Sequence, residues 1–369
     1  MRVLTVIGNR PQFIKAAAVS PPLRRDHEEV LVHTGQHFDD RLSAVFFAEL
    51  GLPAPDRELG ISLGSVTSQA SRMLAALEPV LEEVVPDAVL VYGDTNSTLA
   101  GALAGAQAGV PVAHVEAGMR SFDRSMPEEL NRVLTDHASS LLLCSTETAV
   151  ANLRREGVAG RVDQVGDVMV DVALRVQPRA RERADLLRAR GLEPGGYALA
   201  TAHRAGNVDG PARLELLVAL LERVAATVVP LLLPLHPRTD RRLRELGLRD
   251  RLASAPGVTL TEPVGYLELT ALLCGARAVL TDSGGLQKEA FLASVPCVTL
   301  RPGTEWTETV EAGWNALVDL DADAALAALQ RPAPAAAPDI SVYGDGRAGE
   351  RVVAALEDWR ATASSASIS

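Results

Sequence analysis

Short apolar runs rich in β-branched residues alternate along this chain with longer stretches of helical character. In the first half the runs lie at residues 3–7, 30–33, 88–92, 112–115 and 141–144. In the second half they lie at residues 197–201, 228–233, 258–260, 278–281 and 297–300. Strands that are apolar at every position are typical of a parallel sheet covered by helices on both faces. The pattern therefore predicts an α/β protein with doubly wound parallel sheets.

The same pattern occurs twice, and the arginine-rich segment 175–190 separates the two occurrences. We interpret that segment as a solvated helix near a domain junction. A proline- and alanine-rich linker at 330–339 precedes a last amphipathic stretch near the end of the chain. The pattern predicts two doubly wound α/β domains in tandem, in keeping with a length of 369 residues.

Composition narrows the function classes. The 36 Lys and Arg residues against 47 Asp and Glu give a net charge of −11 without a basic block, which argues against nucleic-acid binding. No uncharged apolar stretch is long enough for a membrane span, and the apolar run at the N-terminus is too short for a signal-peptide core. The three cysteines are far apart and indicate neither a disulfide framework nor a zinc site. We expect a cytoplasmic protein with no nucleic-acid or membrane partner.

Polar residues follow the predicted strands, where ligands bind in sheets of this class. Asp94 and Glu116 end neighbouring candidate strands, so their carboxylates can converge. Glu128 follows Pro127 at the start of a predicted helix, where the helix dipole alone also favours an acid. Three carboxylates in one cleft would raise at least one pKa by mutual repulsion and supply an acid and a base.

A glycine-containing turn in the second half is a candidate phosphate site. The sequence Thr281-Asp282-Ser283-Gly284-Gly285 lies between an apolar run and a helical stretch. Two glycines allow close approach of the backbone, and a helix N-terminus offers free N–H donors, which suits a diphosphate. Glu289 could accept both hydroxyls of a ribose. The alternative is an ordinary glycine turn with an N-cap serine.

Two other patterns are set aside. The sequence GDGRAG at 344–349 matches a dinucleotide fingerprint but follows a proline-rich linker, with no βαβ unit after it. His33 and His37 are four apart at a predicted strand end, so they do not converge as on a helix, and we interpret them as polar loop residues. No metal site is predicted.

Taken together, the motifs resemble the non-hydrolysing UDP-N-acetylglucosamine 2-epimerase family over nearly the whole chain. The matching segments are GNRPQFIK at 8–15, TGQH at 34–37, GDTNST at 93–98, HVEAGMR at 114–120, PEELNR at 127–132, TAHR at 201–204, TDSGGLQKE at 281–289 and YGDG at 343–346. The resemblance implies a glycosyltransferase-B-like fold of two Rossmann-like domains with the active site in the interdomain cleft. The N-terminal domain would comprise residues 1–168, completed by a C-terminal helix at 346–362, and the UDP-binding domain residues 169–345.

The resemblance also implies the reaction and the site. Such enzymes convert UDP-N-acetylglucosamine reversibly to UDP-N-acetylmannosamine by anti elimination of UDP to a 2-acetamidoglucal and syn re-addition, with no cofactor. The implied catalytic residues are Asp94, Glu116, Glu128 and His203. The implied substrate-binding residues are Arg10, Lys15, Arg132, Leu269, Ser283, Gly284, Gly285 and Glu289. A possible effector site for a second UDP-N-acetylglucosamine comprises Gln36, Arg72, Arg204 and His236, although Asp39 and Ala205 depart from the family pattern there. A homodimer is expected.

Several motifs are closer to the branch that acts on UDP-2,3-diacetamido-2,3-dideoxyglucuronate, which stays an alternative substrate. They are RPQFIKAA, TGQHFD, LHPRT and TEWTETVEAGWN, the last containing Trp306. A glucuronate brings an extra carboxylate, and burying it without a partner costs several kcal/mol. The candidate cations are Arg204, Arg238 and Arg301. A UDP-sugar-dependent glycosyltransferase and a catalytically silent nucleotide-sugar-binding protein are alternatives of other classes, but the carboxylate trio favours an epimerase.

Overall fold

The computed structural model describes residues 1–36, 47, 49–124 and 126–366, with only the backbone at 363–366. The described chain divides into two compact units. The first unit comprises Met1–Leu174 and Ser341–Ser369, and the second comprises Arg175–Ile340. The division falls inside the helix Val168–Arg181, in the arginine-rich region of the chain.

The first unit is built on a seven-stranded parallel sheet in the order β3-β2-β1-β4-β5-β6-β7. Its strands are β1 (Arg2–Ile7), β2 (Glu28–His33), β3 (Arg57–Glu58), β4 (Ala88–Tyr92), β5 (Val112–Ala117), β6 (Leu141–Cys144) and β7 (Arg161–Gln164). Its described helices include α1 (Arg10–Asp26), α2 (Val66–Val84), α3 (Asn96–Gln107), α4 (Pro127–Ala138), α5 (Glu147–Glu156) and α6 (Val168–Arg181). The order reverses between β1 and β4, which makes the loops after these strands the expected binding position.

The second unit repeats this plan with a six-stranded parallel sheet, β10-β9-β8-β11-β12-β13. Its strands are β8 (Ala198–Thr201), β9 (Leu231–Pro234), β10 (Val258–Thr261), β11 (Ala278–Thr281), β12 (Cys297–Thr299) and β13 (Asn315–Leu317). Its helices are α7 (Ala184–Arg188), α8 (Ala205–Val208), α9 (Pro211–Thr227), α10 (Pro237–Glu245), α11 (Arg249–Ser254), α12 (Tyr266–Gly275), α13 (Gly284–Leu292), α14 (Thr307–Glu311) and α15 (Ala322–Gln330). Here the order reverses between β8 and β11.

The last helix, α16 (Ala348–Ala366), belongs to the first unit. The backbone N–H groups of Ala348 and Gly349 donate to the carboxylate of Asp171 at 3.0 and 2.7 Å and so cap the helix N-terminus. A Cβ at Gly349 would overlap the carbonyl oxygen of Ala18 on α1, so this glycine permits close helix packing. The glycine-rich sequence at 344–349 therefore starts a helix and does not follow a strand.

The predicted α/β class with two doubly wound parallel sheets is confirmed. Every predicted apolar run overlaps a strand, although the run at 228–233 begins before its strand, which starts at Leu231. The pattern missed β3, β7 and β13, which all lie at sheet edges. Edge strands are short and partly exposed, so they lack the apolar signal of central strands. None of the described helices is both long and apolar enough to cross a membrane.

Candidate active site

The loops after β1 and β4 lie together at the strand-order reversal of the first unit. Gln12, on the first turn of α1, joins them: its side-chain oxygen accepts from Gly8 N at 2.7 Å, and its amide donates to the Tyr92 carbonyl at 3.0 Å. It also contacts Thr98 Oγ1 at 3.0 Å. This buried amide fixes the turns that carry Arg10 and Asp94, a role that no pattern in the sequence indicated.

Asp94 is held by α4. Arg132 Nη2 lies 2.5 Å from Asp94 Oδ2, and Asn131 Nδ2 donates to the Asp94 carbonyl at 3.0 Å. Arg132 also pairs with Glu129 at 3.1 Å. The predicted substrate contact Arg132 is thus buried and directed at the predicted catalytic carboxylate.

Lys15 and Glu116 form an ion pair in the same region. Burial alone would lower the pKa of Lys15, but the carboxylates of Glu116 and Asp94 outweigh it and the pKa is raised. A Cβ at Gly93, which has φ of +65°, would lie 2.7 Å from Lys15 Nζ and 3.6 Å from Glu116 Oε2. The glycine therefore leaves room for a cation between two carboxylates that would otherwise repel each other.

Glu116 has a strained backbone. Its φ is +69°, a conformation that is rare for a residue other than glycine and costs about 1–3 kcal/mol. The pairing of β5 with β6 shifts register between Val115 and Ala117, so Glu116 lies at a β-bulge. Bulges redirect side chains and occur beside active sites, and strain of this kind is found where a fold imposes a functional geometry.

The two glutamates at the start of α4 have different environments. Glu129 is buried and accepts from the backbone N–H groups of Ser121 and Phe122 at 2.8 and 3.1 Å. Burial would raise the pKa of Glu129, but the contacts with Ser121 and Arg132 lower it. Glu128 is exposed. Glu128 is three and four residues before Asn131 and Arg132, so it lies on the helix face that contacts Asp94.

The predicted effector residues of the first unit lie near the N-termini of α2 and α3. Gln36 Oε1 accepts from Ser97 N at 3.1 Å and from Ser97 Oγ at 2.7 Å. Arg72 is exposed, and its Nε donates to the Ser68 carbonyl at 3.2 Å. His37 and Asp39 lie outside the described residues.

In the second unit Asp282 organises the loops at the strand-order reversal. Its buried carboxylate accepts from the backbone N–H groups of His203 at 3.0 and 3.1 Å and of Arg204 at 3.0 Å. Asn207 Nδ2 also donates to it at 3.1 Å. The ring of His203 stacks on that of His236, with centroids 5.3 Å apart. His203 was predicted from the sequence, whereas no sequence pattern indicated that Asp282 positions it.

The glycine turn after β11 is a helix start with open space beside it. Ser283 is the N-cap residue of α13, and its N–H donates to Thr281 Oγ1 at 2.9 Å. Among the described residues, a Cβ at Gly284 would have its nearest neighbour, Trp306 Nε1, at 3.4 Å, and one at Gly285 would meet only Ser283 Oγ, at 4.0 Å. Glu289 is buried on the same helix, and Leu269, on α12, is partly buried. The predicted phosphate contacts are therefore next to one another on one turn.

The three candidate cations for a sugar carboxylate differ in their partners. Arg238 pairs with Asp209, and Arg301 contacts both oxygens of Glu305 at 3.0 Å. Arg204 lies 3.8 Å from Glu305, the longest of these ion-pair distances.

Glu305 and Trp306 follow β12 and contact basic side chains. Burial would raise the pKa of Glu305, but Arg301 and Arg204 lower it to about 2. The Lys288 ammonium lies 4.0 Å from the centroid of the buried Trp306 ring. One face of Trp306 is thus occupied by a cation of the protein.

Comparison with known proteins identifies the family of this chain. Residues 22–357 match the profile of the family described as UDP-N-acetylglucosamine 2-epimerase. The chain belongs to this family. It is 46% identical over 361 residues to UDP-2,3-diacetamido-2,3-dideoxy-D-glucuronate 2-epimerase of Pseudomonas aeruginosa, covering 95% of this chain and 98% of the relative. It is 41% identical over 362 residues to UDP-N-acetylglucosamine 2-epimerase of Methanocaldococcus jannaschii, covering 96% and 99%.

Comparison with solved structures supports the same family. The crystal structure of the M. jannaschii UDP-GlcNAc 2-epimerase in complex with UDP-GlcNAc and UDP matches with a TM-score of 0.90, over 97% of this chain and 99% of that one. The predicted epimerase family, the glycosyltransferase-B-like fold and the isomerase class are confirmed. Within the described residues of this epimerase-family chain, no group of three or more His, Cys, Asp or Glu could hold a metal ion.

Proposed function

We propose that this protein interconverts UDP-N-acetylglucosamine and UDP-N-acetylmannosamine. The observation that carries the proposal is the strained bulge residue Glu116, paired with Lys15 next to Asp94. A carboxylate held at a cost in backbone energy, beside a buried cation and a second carboxylate, is suited to moving a proton.

The proposed chemistry avoids a free carbanion at C2, because loss of the C2 proton is coupled to departure of UDP. In the forward direction a base removes the C2 proton, the C2–H electrons form a C1=C2 bond, and the C1–O bond breaks as UDP leaves with its electron pair. Protonation at C2 from the opposite face and re-addition of UDP at C1 then give the epimer. Asp94, Glu116 and Glu128 are proposed as the acid and base set, which contributes typically ~10²–10⁴-fold to such steps.

The second unit is proposed to bind the nucleotide. Ser283, Gly284 and Gly285 present the N-terminus of α13 to the diphosphate, and the open space at Gly285 supports close approach. His203 is proposed to support the leaving diphosphate, and the buried Glu289 to accept the ribose hydroxyls. Arg10 and Lys15 of the first unit are proposed as further substrate contacts. Stabilisation of a departing dianion is a large share of catalysis of this kind.

UDP-2,3-diacetamido-2,3-dideoxyglucuronate is a second candidate substrate. The P. aeruginosa relative that carries this name is 46% identical, and the relative from M. jannaschii named for UDP-N-acetylglucosamine is 41% identical. Of the three arginines that could pair with the extra carboxylate, Arg204 has the loosest contact with a protein acid. A Cβ at Gly284 would lie 3.7 Å from Arg204 Nη2, which puts this cation at the proposed diphosphate turn.

Four further properties are part of the proposal. A homodimer and an effector site at Gln36, Arg72, Arg204 and His236 are proposed from the family resemblance. A cytoplasmic location is supported by the free thiols of Cys144, Cys274 and Cys297. The open space around Gly285 is compatible with UDP-sugar as the small-molecule partner.

The experiment is incubation of the protein with a single UDP-sugar in deuterated water, followed by proton NMR. We expect UDP-N-acetylglucosamine alone to give its 2-epimer with solvent deuterium at C2. A glycosyltransferase would need an added acceptor, and retention of the original C2 hydrogen would exclude the elimination route.

A parallel incubation with UDP-2,3-diacetamido-2,3-dideoxyglucuronate separates the two substrates. Turnover of this sugar alone, lost in Arg204→Met and kept in Arg238→Met, would replace the proposed substrate with the second candidate. Arg238→Met is the matched control because its arginine pairs with Asp209.

A further inference from the structure

A buried histidine–carboxylate pair lies on the elements that carry the proposed acid and base set. His114 on β5 and Asp136 on α4 are both 0% exposed, and His114 Nδ1 lies 2.7 Å from Asp136 Oδ1. Neither residue can contact a substrate in this structure. A buried polar pair of this kind is costly unless all its bonds are made, so its partners indicate its purpose.

The first partner lies beside Asp94. His114 Nε2 donates to the carbonyl oxygen of Gly93 at 2.7 Å. Gly93 directly precedes Asp94, and its own N–H donates to the Val115 carbonyl at 3.0 Å. The imidazole therefore joins β5 to the turn that carries Asp94.

The second set of partners lies on the far side of Glu116. Asp136 Oδ2 accepts from Gly118 N at 3.1 Å and from Arg120 Nη2 at 2.8 Å. Burial alone would raise the pKa of Asp136, but His114 and Arg120 outweigh it and the pKa is lowered, so both oxygens remain acceptors.

Asp136 thus holds the β5 segment on both sides of the bulge. His114 is two residues before Glu116 and Gly118 is two residues after it. A non-glycine residue with positive φ persists only when its surroundings impose that conformation. The pair supplies such a constraint, and Asp136 is on α4, the helix that also carries Glu128 and Arg132.

We infer that His114 and Asp136 are positioning residues for 2-epimerisation, holding Glu116 and Asp94 in reactive geometry without touching the substrate. The inference rests on the function proposed above. A misplacement of about 1 Å can cost ~10²-fold in rate, so a hub that fixes two carboxylates can have a large effect on turnover.

The test compares variants of the full-length protein in a UDP-sugar turnover assay with a parallel thermal melt. His114→Phe keeps a ring but removes both hydrogen bonds. We expect kcat to fall by ~10²-fold while KM changes little. In Asp136→Asn the amide oxygen can accept from Gly118 and Arg120, and the amide NH2 can donate to His114. This variant should therefore retain kcat within about tenfold.

The matched control is Glu29→Gln in the same unit. Glu29 is also a buried carboxylate, and it accepts from Thr5, Ser20 and Arg24 near the amino end of β2, away from the proposed site. Glu29→Gln should lower the melting temperature as much as His114→Phe does and leave kcat unchanged. A kcat of His114→Phe no lower than that of Glu29→Gln would overturn the inference, as would a change in KM alone.

A second readout does not depend on activity. Crystal structures of the wild type and His114→Phe should show Glu116 leaving the left-handed region and its contact with Lys15 lost; an unchanged Glu116 would overturn the inference. Absence of wild-type turnover would instead contradict the proposed function. If the Phe variant does not fold, His114→Gln, which can satisfy only one of the two acceptors, is judged by the same criteria.

Discussion

The two units have the same parallel strand order around the reversal point but hold different chemistry there. In the first unit, charges occur in close pairs, Lys15 with Glu116 and Arg132 with Asp94, and one of the acids has a strained backbone. In the second unit, the carboxylate of Asp282 accepts hydrogen bonds from backbone N–H groups and from a side-chain amide. The position that could admit a ligand there is the glycine-containing start of α13.

Under the proposed function, one topology serves two tasks. The strand order fixes where a ligand meets the sheet, and the loops decide what is done there. Paired charges and strain suit proton transfer, whereas free N–H groups and small residues suit binding of an anion. The proposed division of labour can be tested by variants that should change turnover in one unit and nucleotide affinity in the other.

The largest expected effect is on turnover. Glu116→Gln should lower kcat by ~10²–10⁴-fold, because the amide cannot exchange a proton, and leave UDP affinity unchanged. The measurement is steady-state turnover with UDP binding by calorimetry. Glu147→Gln, an exposed glutamate at the start of α5, is the control and should match the wild type. Weaker UDP binding in Glu116→Gln with a normal kcat would contradict the assignment of proton transfer to the first unit.

The next effect concerns stability of the second unit in acid. Because the pKa of Glu305 is about 2 in the folded protein, against an ordinary value of 4.5, the ionised group stabilises the fold fully above about pH 4.5. That stabilisation, about 3 kcal/mol, is lost as the pH falls from about 4.5 to about 2, because over this range the unfolded chain takes up a proton at Glu305 and the folded protein does not.

Glu305→Gln should remove this part of the pH dependence. The measurement is the free energy of unfolding by urea at several pH values between 2 and 6 for both proteins, with Glu308→Gln, the equivalent change in a neighbouring residue, as control. If the free energies of unfolding of the Glu305 variant and the wild type fall in parallel over this range, the ionised Glu305 in the Arg301–Glu305 pair does not stabilise the fold.

A smaller effect is expected on nucleotide affinity. In Gly284→Ala the added methyl meets its nearest neighbour at 3.4 Å, so the unliganded fold should tolerate it. The same methyl would obstruct close approach of a diphosphate, and we expect UDP affinity to fall by about 10- to 100-fold, or roughly 1.4–2.7 kcal/mol. Gly210→Ala is the control, because the added methyl would have no atom of the described residues within 4 Å. Unchanged UDP affinity in Gly284→Ala would place the diphosphate elsewhere.

The sequence determined the architecture because central parallel strands must be apolar on both faces. All the interior strands carry that signal, whereas the edge strands β3, β7 and β13 do not. The sequence also identified Asp94, Glu116, His203 and Ser283 as polar residues at the ends of predicted strands, although Glu116 lies within β5. The family motifs added Lys15 and Arg132, which have no strand-end signal of their own.

Only the tertiary structure showed what holds those residues. Gln12, His114, Asp136 and Asp282 make hydrogen bonds to backbone groups that are distant in sequence, and polar side chains of this kind have no periodicity to read. The bulge at Glu116 arises where β5 and β6 pair out of register, which is a property of two strands and not of one. Apolar patterning is a local signal of burial, whereas the partner of a buried polar group is decided by the packing of segments far apart along the chain.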